Sequence, residues 1–141
     1  MADIYGKTKR SLLMSQVRAH GTRPELTVRQ ALRILGIRYR LNADDLPGRP
    51  DVVLARRRTA IFVHGCFWHR HPRCRKASLP ATNVPFWSAK LAENVKRDQR
   101  IYRRLRRAGW TVLVVWECQT KRSGALRQTL ARMIKAAQLC A

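Results

Sequence analysis

The sequence predicts an α/β fold in which helices flank a mixed central sheet. Two observations support this class: apolar residues recur at helical spacing in segments that end at glycine, and shorter runs rich in Val and Ile lie between them. The predicted order is helix, helix, strand, strand, strand, helix, strand, helix. Since 45% of the 141 residues are hydrophobic, the chain can bury a core, and its length predicts one domain over residues 1–141.

The first two predicted helices are separated by a glycine and a helix-start signal. Residues 1–21 form a basic N-terminal arm with a helical apolar pattern, and a glycine ends it. Thr22 can cap the next helix, Pro24 suits its first turn, and Glu25 interacts favourably with the positive end of the helix dipole. This second helix is expected to extend to Gly36.

Four strands and two further helices follow. The segment 110–116 is almost continuously apolar, which predicts a strand in the centre of the sheet. Three arginines form the tight turn between the second and third strands, and residues 65–85 are loop-like. The predicted strands are residues 37–41, 51–55, 59–64 and 110–116, and the predicted helices are residues 86–108 and 123–139.

The charge of the chain predicts a nucleic-acid partner. Thirty Lys and Arg against eight Asp and Glu give a net charge of +22 at pH 7, and the release of counterions from phosphates favours such a density of basic groups. Residues 56–58 and 97–107 are arginine-rich, and the alternative for each block is a solvated face. No apolar run reaches the ~18 residues of a membrane span, and the N-terminus lacks the apolar region of a secretory signal. We therefore expect a cytoplasmic protein.

Cysteine and histidine residues cluster in one short segment. Three of the four histidines and two of the four cysteines lie between positions 64 and 74. Cys66, His71 and Cys74 have zinc-like local spacing. Cys118, just beyond the last predicted strand, would complete a Cys3His set, which is a known structural zinc site. The alternative is a group of buried free thiols with a surface histidine, and Cys140 is expected to stay outside the site.

A carboxylate and two histidines are predicted to meet at one end of a hairpin. Asp51 begins a strand, the next strand brings His64 near it, and His69 lies in the following loop. This layout is typical of a metal-dependent nuclease, in which a carboxylate holds Mg2+ at the scissile phosphate and a neighbouring group handles the water. The backbone carbonyl of Val63, waters and phosphate oxygens would complete the ligands. The alternative for Asp51 is a turn or cap residue.

Two further acids have both a structural and a functional interpretation. Asp98 lies among the arginines of the long helix, where it would form a salt bridge or orient an imidazole. Glu25 would either start its helix or stand behind the catalytic residues as an additional carboxylate. We count both among the candidate catalytic residues.

Two pairs of bulky aromatic residues lie next to basic loops. They are Phe67 with Trp68 and Phe86 with Trp87. One member of each pair could pack in the core, and the alternative is a wedge that unstacks base pairs. Met14 on the basic arm would then press from the opposite side.

These residues stand in motifs that resemble the very-short-patch-repair (Vsr) DNA mismatch endonucleases. The motifs extend over about residues 10–118, and the central one is highly specific. They are Arg10-Ser11…Met14, Thr22-x-Pro24-Glu25, Leu46-Pro47-Gly48-Arg49-Pro50-Asp51, Ile61-Phe62-Val63-His64-Gly65-Cys66-Phe67-Trp68-His69, Phe86-Trp87…Lys90…Asn94-x-x-Arg97-Asp98 and Gly109-Trp110…Val115-Trp116-Glu117-Cys118.

The resemblance implies a restriction-endonuclease-like fold with an N-terminal helical arm and a structural zinc. It implies Mg2+-dependent nicking of duplex DNA on the 5′ side of the T in a T:G mismatch, which arises when 5-methylcytosine deaminates. A monomer that works with mismatch-repair proteins would fit this activity. Two alternatives remain at this point: a DNA-binding module without catalysis, and a nuclease that also cuts matched duplexes.

The resemblance also assigns roles to single residues. Asp51 would bind Mg2+, His69 would act as general base with Asp98 behind it, and His64 would assist at the phosphate. The remaining assignments form three groups: the zinc ligands Cys66, His71, Cys74 and Cys118; the stacking residues Met14, Phe67, Trp68 and Trp87; and the further DNA contacts Arg49, Lys90, Asn94 and Arg97. The sequence departs from the family pattern in the spacing between His71 and Cys74 and in its unusually high charge.

Overall fold

A computed structural model describes residues 22–41 and 43–139. The predicted N-terminal arm, with Met14, and Cys140 lie outside these residues. The described part of the chain contains three α-helices, four strands and three short 3-10 helices. The main elements are α1 (Arg23–Ile34), β1 (Arg40–Leu41), β2 (Val52–Leu54), β3 (Thr59–His64), α2 (Val84–Arg107), β4 (Thr111–Trp116) and α3 (Ser123–Leu139).

The four strands form one mixed sheet in the order β1-β2-β3-β4. The first two strand pairs are antiparallel, and β3 pairs with β4 in parallel. A parallel pair needs a long crossover, and the 24-residue helix α2 supplies it. The predicted α/β class and mixed sheet are therefore confirmed. None of the described helices is both long and apolar enough to cross a membrane.

The predicted central position of the last strand is wrong for the described sheet, in which β4 is an edge strand. Its continuous apolar character has a different cause. Leu113 and Val115 pack on the layer of α1 and α3, whereas Val112 and Val114 pack on the layer of α2. Because successive side chains of a strand point to opposite faces, a strand covered on both faces is apolar throughout, even at the edge.

Two apolar layers enclose the sheet. On one face, Val28 and Leu32 of α1 meet Ile61 of β3 and Leu126 and Leu130 of α3. On the other face, residues of β3 and α2 form a smaller cluster, namely Ala60, Phe62, Tyr102 and Leu105. Ile61 and its neighbour on the strand thus belong to different layers, as the pleat requires.

Local turns fix the segments on either side of the site. The Thr22 hydroxyl accepts the Glu25 N–H at 3.4 Å, which caps α1 as the sequence predicts. Gly48 has φ +75°, and any Cβ there would clash with Ile101 of α2. The glycine therefore lets the loop before Asp51 approach α2 closely. The strand β2 begins one residue after Asp51, and α2 begins at Val84 with Pro85 in its first turn.

Candidate active site and metal centre

Two histidines stack at the end of β3, and one of them bonds to a buried carboxylate. His64 is the last residue of β3, and His69 lies in the loop that follows. Their ring centroids are 3.7 Å apart with 12° between the planes. His69 Nδ1 lies 2.6 Å from Asp98 Oδ2 of α2. The structure thus brings together three residues that the sequence singles out, and Asp98 contacts an imidazole directly.

Tyr102 also belongs to this cluster, although the sequence predicts no functional role for it. Its hydroxyl oxygen lies 2.6 Å from His64 Nε2, and the exposed fractions are only 8% for Tyr102 and 6% for His64. Burial, with a contribution from neighbouring His69, lowers the pKa of His64 to about 3, so this ring is neutral at pH 7. Burial raises the pKa of Tyr102. The available signal was helical spacing, since Tyr102 follows Asp98 by four residues on one helix face.

Asp51 lies beside β3 and faces a second carboxylate. Its Oδ2 accepts the Val63 N–H at 2.7 Å. Glu25 is 3% exposed and lies within hydrogen-bonding reach of Asp51. Burial, reinforced by Glu25, raises the pKa of Asp51 to about 7. A buried carboxyl group with a raised pKa, beside a second carboxyl group, fits a cation site, because a cation would stabilise its charged form.

Arg29 supports this pair from within α1. Its Nη2 lies 3.5 Å from Glu25 Oε2, in an i,i+4 arrangement. Among the described residues the Arg29 Nε is buried without a hydrogen-bond partner. No functional role for Arg29 is predicted from the sequence, although its spacing from Glu25 is that of a helical ion pair.

The four residues predicted as zinc ligands lie close together, three of them in the loop after β3 and one after β4. One ligand atom from each of Cys66, His71, Cys74 and Cys118 lies within 4.8 Å of the others. His71 Nδ1 is 3.5 Å from Cys118 Sγ. All three cysteines are free, and burial raises the pKa of Cys66 to about 12. A cation would stabilise the buried Cys66 thiolate, and three sulfurs with one imidazole match the donors of tetrahedral zinc.

The aromatic residues form one cluster rather than two separate pairs. The ring centroids of Phe67 and Trp68 lie 5.0 Å apart, and both contact Trp87, at 5.4 Å and 5.9 Å. Trp87 is 4% exposed, whereas Phe86 is 43% exposed. Phe67 and Trp68 are half-buried. Trp87 therefore packs against the rings of Phe67 and Trp68 from the protein interior.

Comparison with known proteins places this chain in a family. A family model described as DNA mismatch endonuclease Vsr matches residues 2–76. The type II nicking enzyme V.XorIIP of Xanthomonas oryzae pv. oryzae is 46% identical over 134 residues, which are 95% of this chain and 98% of the relative. V.NmeAIP of Neisseria meningitidis serogroup A, also a type II nicking enzyme, is 39% identical over 135 residues, 96% of each chain. The DNA mismatch endonuclease Vsr of Escherichia coli K12 is 43% identical over 118 residues, 84% of this chain and 75% of the relative.

The chain belongs to the Vsr family of DNA mismatch endonucleases. The family and the enzyme class predicted from the sequence, a DNA endonuclease, are thereby confirmed. The matched segment of the Vsr model ends at residue 76, so it includes Asp51 and both stacked histidines but neither Asp98 nor Cys118. In the fold, Asp98 of α2 contacts His69, and Cys118 in the turn after β4 contacts His71, so both lie next to the matched segment.

The other predicted DNA contacts of this Vsr chain occupy different environments. Asn94 is buried, and its Nδ2 donates to the Trp68 carbonyl at 3.0 Å, so it fixes the aromatic loop. Arg49 is exposed and pairs with Asp44 at 2.7 Å. Lys90 is half-buried, and Arg97 is exposed on α2. Of these four side chains, Asn94 is therefore the one that the structure ties to the protein interior.

Proposed function

We propose that this chain nicks duplex DNA on the 5′ side of the T in a T:G mismatch and thereby initiates very short patch repair after 5-methylcytosine deamination. The carrying observation is that Asp51 accepts a hydrogen bond from Val63, the residue before His64, while His64 stacks on His69 and His69 bonds to Asp98. The similarity to type II nicking enzymes supports cleavage of one strand. The proposed domain, residues 1–141, has a restriction-endonuclease-like fold and acts as a cytoplasmic monomer, with mismatch-repair proteins as further partners.

The carboxylates Asp51 and Glu25 fit a Mg2+ requirement. Asp51 would hold the ion with the Val63 carbonyl, and Glu25 would stand behind Asp51. When bound, Mg2+ would polarise the scissile phosphate and neutralise the charge that develops on it. Because burial and neighbouring Glu25 raise the pKa of Asp51, a cation would compete with a proton for this carboxyl group.

His69 is the proposed general base. Its Nδ1–H donates to Asp98 Oδ2, which leaves the lone pair of Nε2 for the attacking water. As the water oxygen forms its bond to phosphorus, its proton passes to His69 Nε2, and Asp98 stabilises the resulting imidazolium. A carboxylate fixed on Nδ1 thus selects the tautomer that can accept this proton.

His64 is proposed to assist at the phosphate as a hydrogen-bond donor. We assign the Tyr102 hydroxyl, 2.6 Å from Nε2, as the donor to the neutral ring, an assignment that would place the ring proton of His64 on Nδ1. In the described part of the chain no protein group bonds to this Nδ1, so its proton is available to a phosphate oxygen. Tyr102 would act through His64 as a positioning residue.

Mismatch recognition is proposed to depend on the aromatic cluster. Phe67 and Trp68 would enter the base stack from the major groove, and Trp87, which packs against both rings, would enter after them. Met14 would enter from the minor groove. A T:G wobble pair is easier to unstack than a matched pair, so insertion costs less at the mismatch. Arg49, Lys90 and Arg97 would contact the phosphates, and Asn94 would hold Trp68 in place.

Structural zinc is the proposed occupant of the Cys3His group. Cys66, His71 and Cys74 would hold it from the loop after β3, and Cys118 from the turn after β4. The loop that contains His69 would then be attached to the sheet at both ends.

The test is nicking of labelled T:G and matched duplexes in several methylation-site contexts, with Mg2+ and with chelator. We expect a nick confined to the T strand of the mismatch, lost with chelator and with Asp51→Asn. Asp45→Asn, an exposed carboxylate that pairs with Arg40, is the matched control and should retain activity. Cutting of matched DNA would contradict mismatch recognition. Tight, salt-sensitive binding without cutting would favour a DNA-binding module instead.

A further inference from the structure

An arginine-rich surface lies away from the catalytic histidines. It consists of exposed residues of the turn between β2 and β3 and of the C-terminal half of α2. Its members, which we call the distal arginine surface, are Arg56, Arg57, Arg100, Arg103, Arg104 and Arg107.

The four arginines on α2 share one face of the helix. Their positions follow the spacing i, i+3, i+4, i+7, which places side chains in one stripe. The buried residues Asp98, Tyr102 and Leu105 mark the opposite face. The stripe extends about 10 Å along the helix axis at 1.5 Å per residue. It is therefore a continuous row of guanidinium groups pointing away from the core.

Arg58 attaches the turn to the end of α2. Its Nη2 donates to the Ala108 carbonyl at 2.7 Å, and its Nε donates to the Gly109 carbonyl at 3.4 Å. The guanidinium also lies over the Trp110 ring, 5.3 Å from its centroid. These bonds join the turn that contains Arg56 and Arg57 to the C-terminal end of α2, where the helical stripe ends.

The described structure gives this surface no counter-charges. The arginine–carboxylate pairs of the described residues involve Arg29, Arg40 and Arg49, all elsewhere. The sequence contains no Asp or Glu between positions 99 and 116. Like charges at helical i,i+3 and i,i+4 spacing destabilise a helix. The helix dipole compensates only in the last turn, so a polyanionic partner would relieve the remaining repulsion.

The surface faces away from the catalytic groups. The arginine stripe lies on the face of α2 opposite Asp98 and Tyr102, both of which are buried. The turn between β2 and β3 precedes Thr59 at the start of β3, whereas His64 ends the strand five residues later, about 17 Å away at 3.3 Å per residue. A duplex seated against the histidines would therefore leave the arginine stripe open to a second segment of DNA.

We propose that the distal arginine surface binds the phosphate backbone of a second duplex DNA segment while the first occupies the catalytic site. This inference rests on the proposed function in so far as DNA is the substrate. The contact is independent of sequence, because it involves guanidinium groups and phosphates only. It would let the enzyme pass between neighbouring DNA segments during its search for a mismatch.

The experiment compares two triple variants that each lower the net charge by three. The distal variant replaces Arg57, Arg104 and Arg107 with Gln. The control variant replaces exposed basic residues elsewhere with Gln, namely Arg38, Arg132 and Lys135. A matched duplex on a surface is saturated with protein in the presence of chelator. Capture of a second, fluorescent matched duplex from solution is then measured against salt concentration.

We expect wild type and the control variant to capture the second duplex and the distal variant to capture at least about tenfold less. The slope of log K against log salt for capture should fall by about 2.7 in the distal variant, about 0.9 for each of three phosphate contacts. Single-turnover nicking of a short T:G duplex should stay within about twofold of wild type in both variants, since the surface is distant from the site.

Three results would overturn the proposal: no capture by wild type, equal capture by both variants, or a large loss of nicking on the short duplex by the distal variant alone. The last result would mean that one duplex contacts both surfaces. Failure of the proposed function appears separately, as an absence of nicking by wild type while capture of the second duplex persists.

Discussion

Tyr102→Phe tests the arrangement of the two stacked histidines without changing any charge. The substitution removes the hydroxyl that lies 2.6 Å from His64 Nε2 and leaves a buried ring nitrogen without its donor. An unsatisfied buried group costs about 1–3 kcal/mol. At a typical unfolding entropy for this length, a loss of about 2 kcal/mol lowers Tm by about 7 °C. Since His64 would no longer be held in one tautomer, we expect nicking to slow by about 10–100-fold, as for a misplaced catalytic group.

The assay combines three measurements on the same variant: Tm, single-turnover nicking of a T:G duplex, and 15N chemical shifts of the His64 ring. In wild type the two ring nitrogens should give the distinct shifts of one neutral tautomer with its proton on Nδ1. In the variant the shifts should move toward each other as both tautomers become populated. Tyr39→Phe is the matched control, because its hydroxyl accepts from Arg33 at an exposed position, and its Tm should change by less than about 2 °C.

Unchanged 15N shifts in Tyr102→Phe would refute the assignment of the hydroxyl as donor to His64. A loss of Tm with normal nicking and normal shifts would make Tyr102 a packing residue only. A slower rate with a shifted tautomer and unchanged affinity for DNA is the pattern that a positioning role requires.

Four other substitutions address the remaining groups. Asp51→Asn should remove the pH dependence that Asp51 adds to the stability of the metal-free protein. The pKa of Asp51 is about 7 in the folded chain against 3.8 unfolded, so the folded chain holds an extra proton between about pH 4 and 7. The free energy of unfolding therefore falls as pH rises across that window. Equal slopes in urea denaturation of variant and wild type with chelator would contradict this. Asp98→Asn should slow nicking by about 10²–10⁴-fold at unchanged DNA affinity, and a smaller loss in single-turnover assays would reduce Asp98 to a structural partner. Cys118→Ser should lower the zinc content of purified protein well below one per chain, whereas Cys140→Ser should leave it unchanged; zinc retained by the first variant would remove Cys118 from the ligand set. Trp68→Ala should weaken binding to T:G duplexes more than to matched duplexes, and equal losses on both in titrations would make Trp68 a core residue.

The sequence predicts the fold well where an element has a clear local pattern of apolar residues. The bounds of β3 and α3 agree with the predicted ones because each has an unambiguous apolar pattern and a clear end. The run at 110–116 was interpreted as a central strand, and this was wrong, because coverage by helices on both faces produces the same pattern as neighbours on both sides. Sequence spacing cannot separate these two causes of burial.

The candidate site, like the fold, could be predicted from the sequence only in part. The histidine and cysteine residues between positions 64 and 74 stand out by composition alone, and geometry then assigns them to two separate groups. Tyr102 and Arg29 are ordinary helical residues by sequence, and only the packing of α2 and α1 shows their partners. The support of the other aromatic rings by Trp87 depends on tertiary packing as well, since an adjacent pair such as Phe86 and Trp87 gives no indication of which ring faces inward.

The segment 65–71 has a consequence for how this enzyme can change. It contains the aromatic residues proposed to enter the DNA base stack and the histidine proposed to activate water. Backbone hydrogen bonds from His69 to Gly65 and from His71 to Cys66 fold it into one compact unit. A substitution that alters the fit to a distorted base pair therefore displaces the proton acceptor as well. With the proposed roles, fidelity and speed would be mechanically coupled, so we expect variants selected for a broader substrate range to lose rate as well. Exchange of the whole segment between relatives is the change most apt to alter one property while preserving the other.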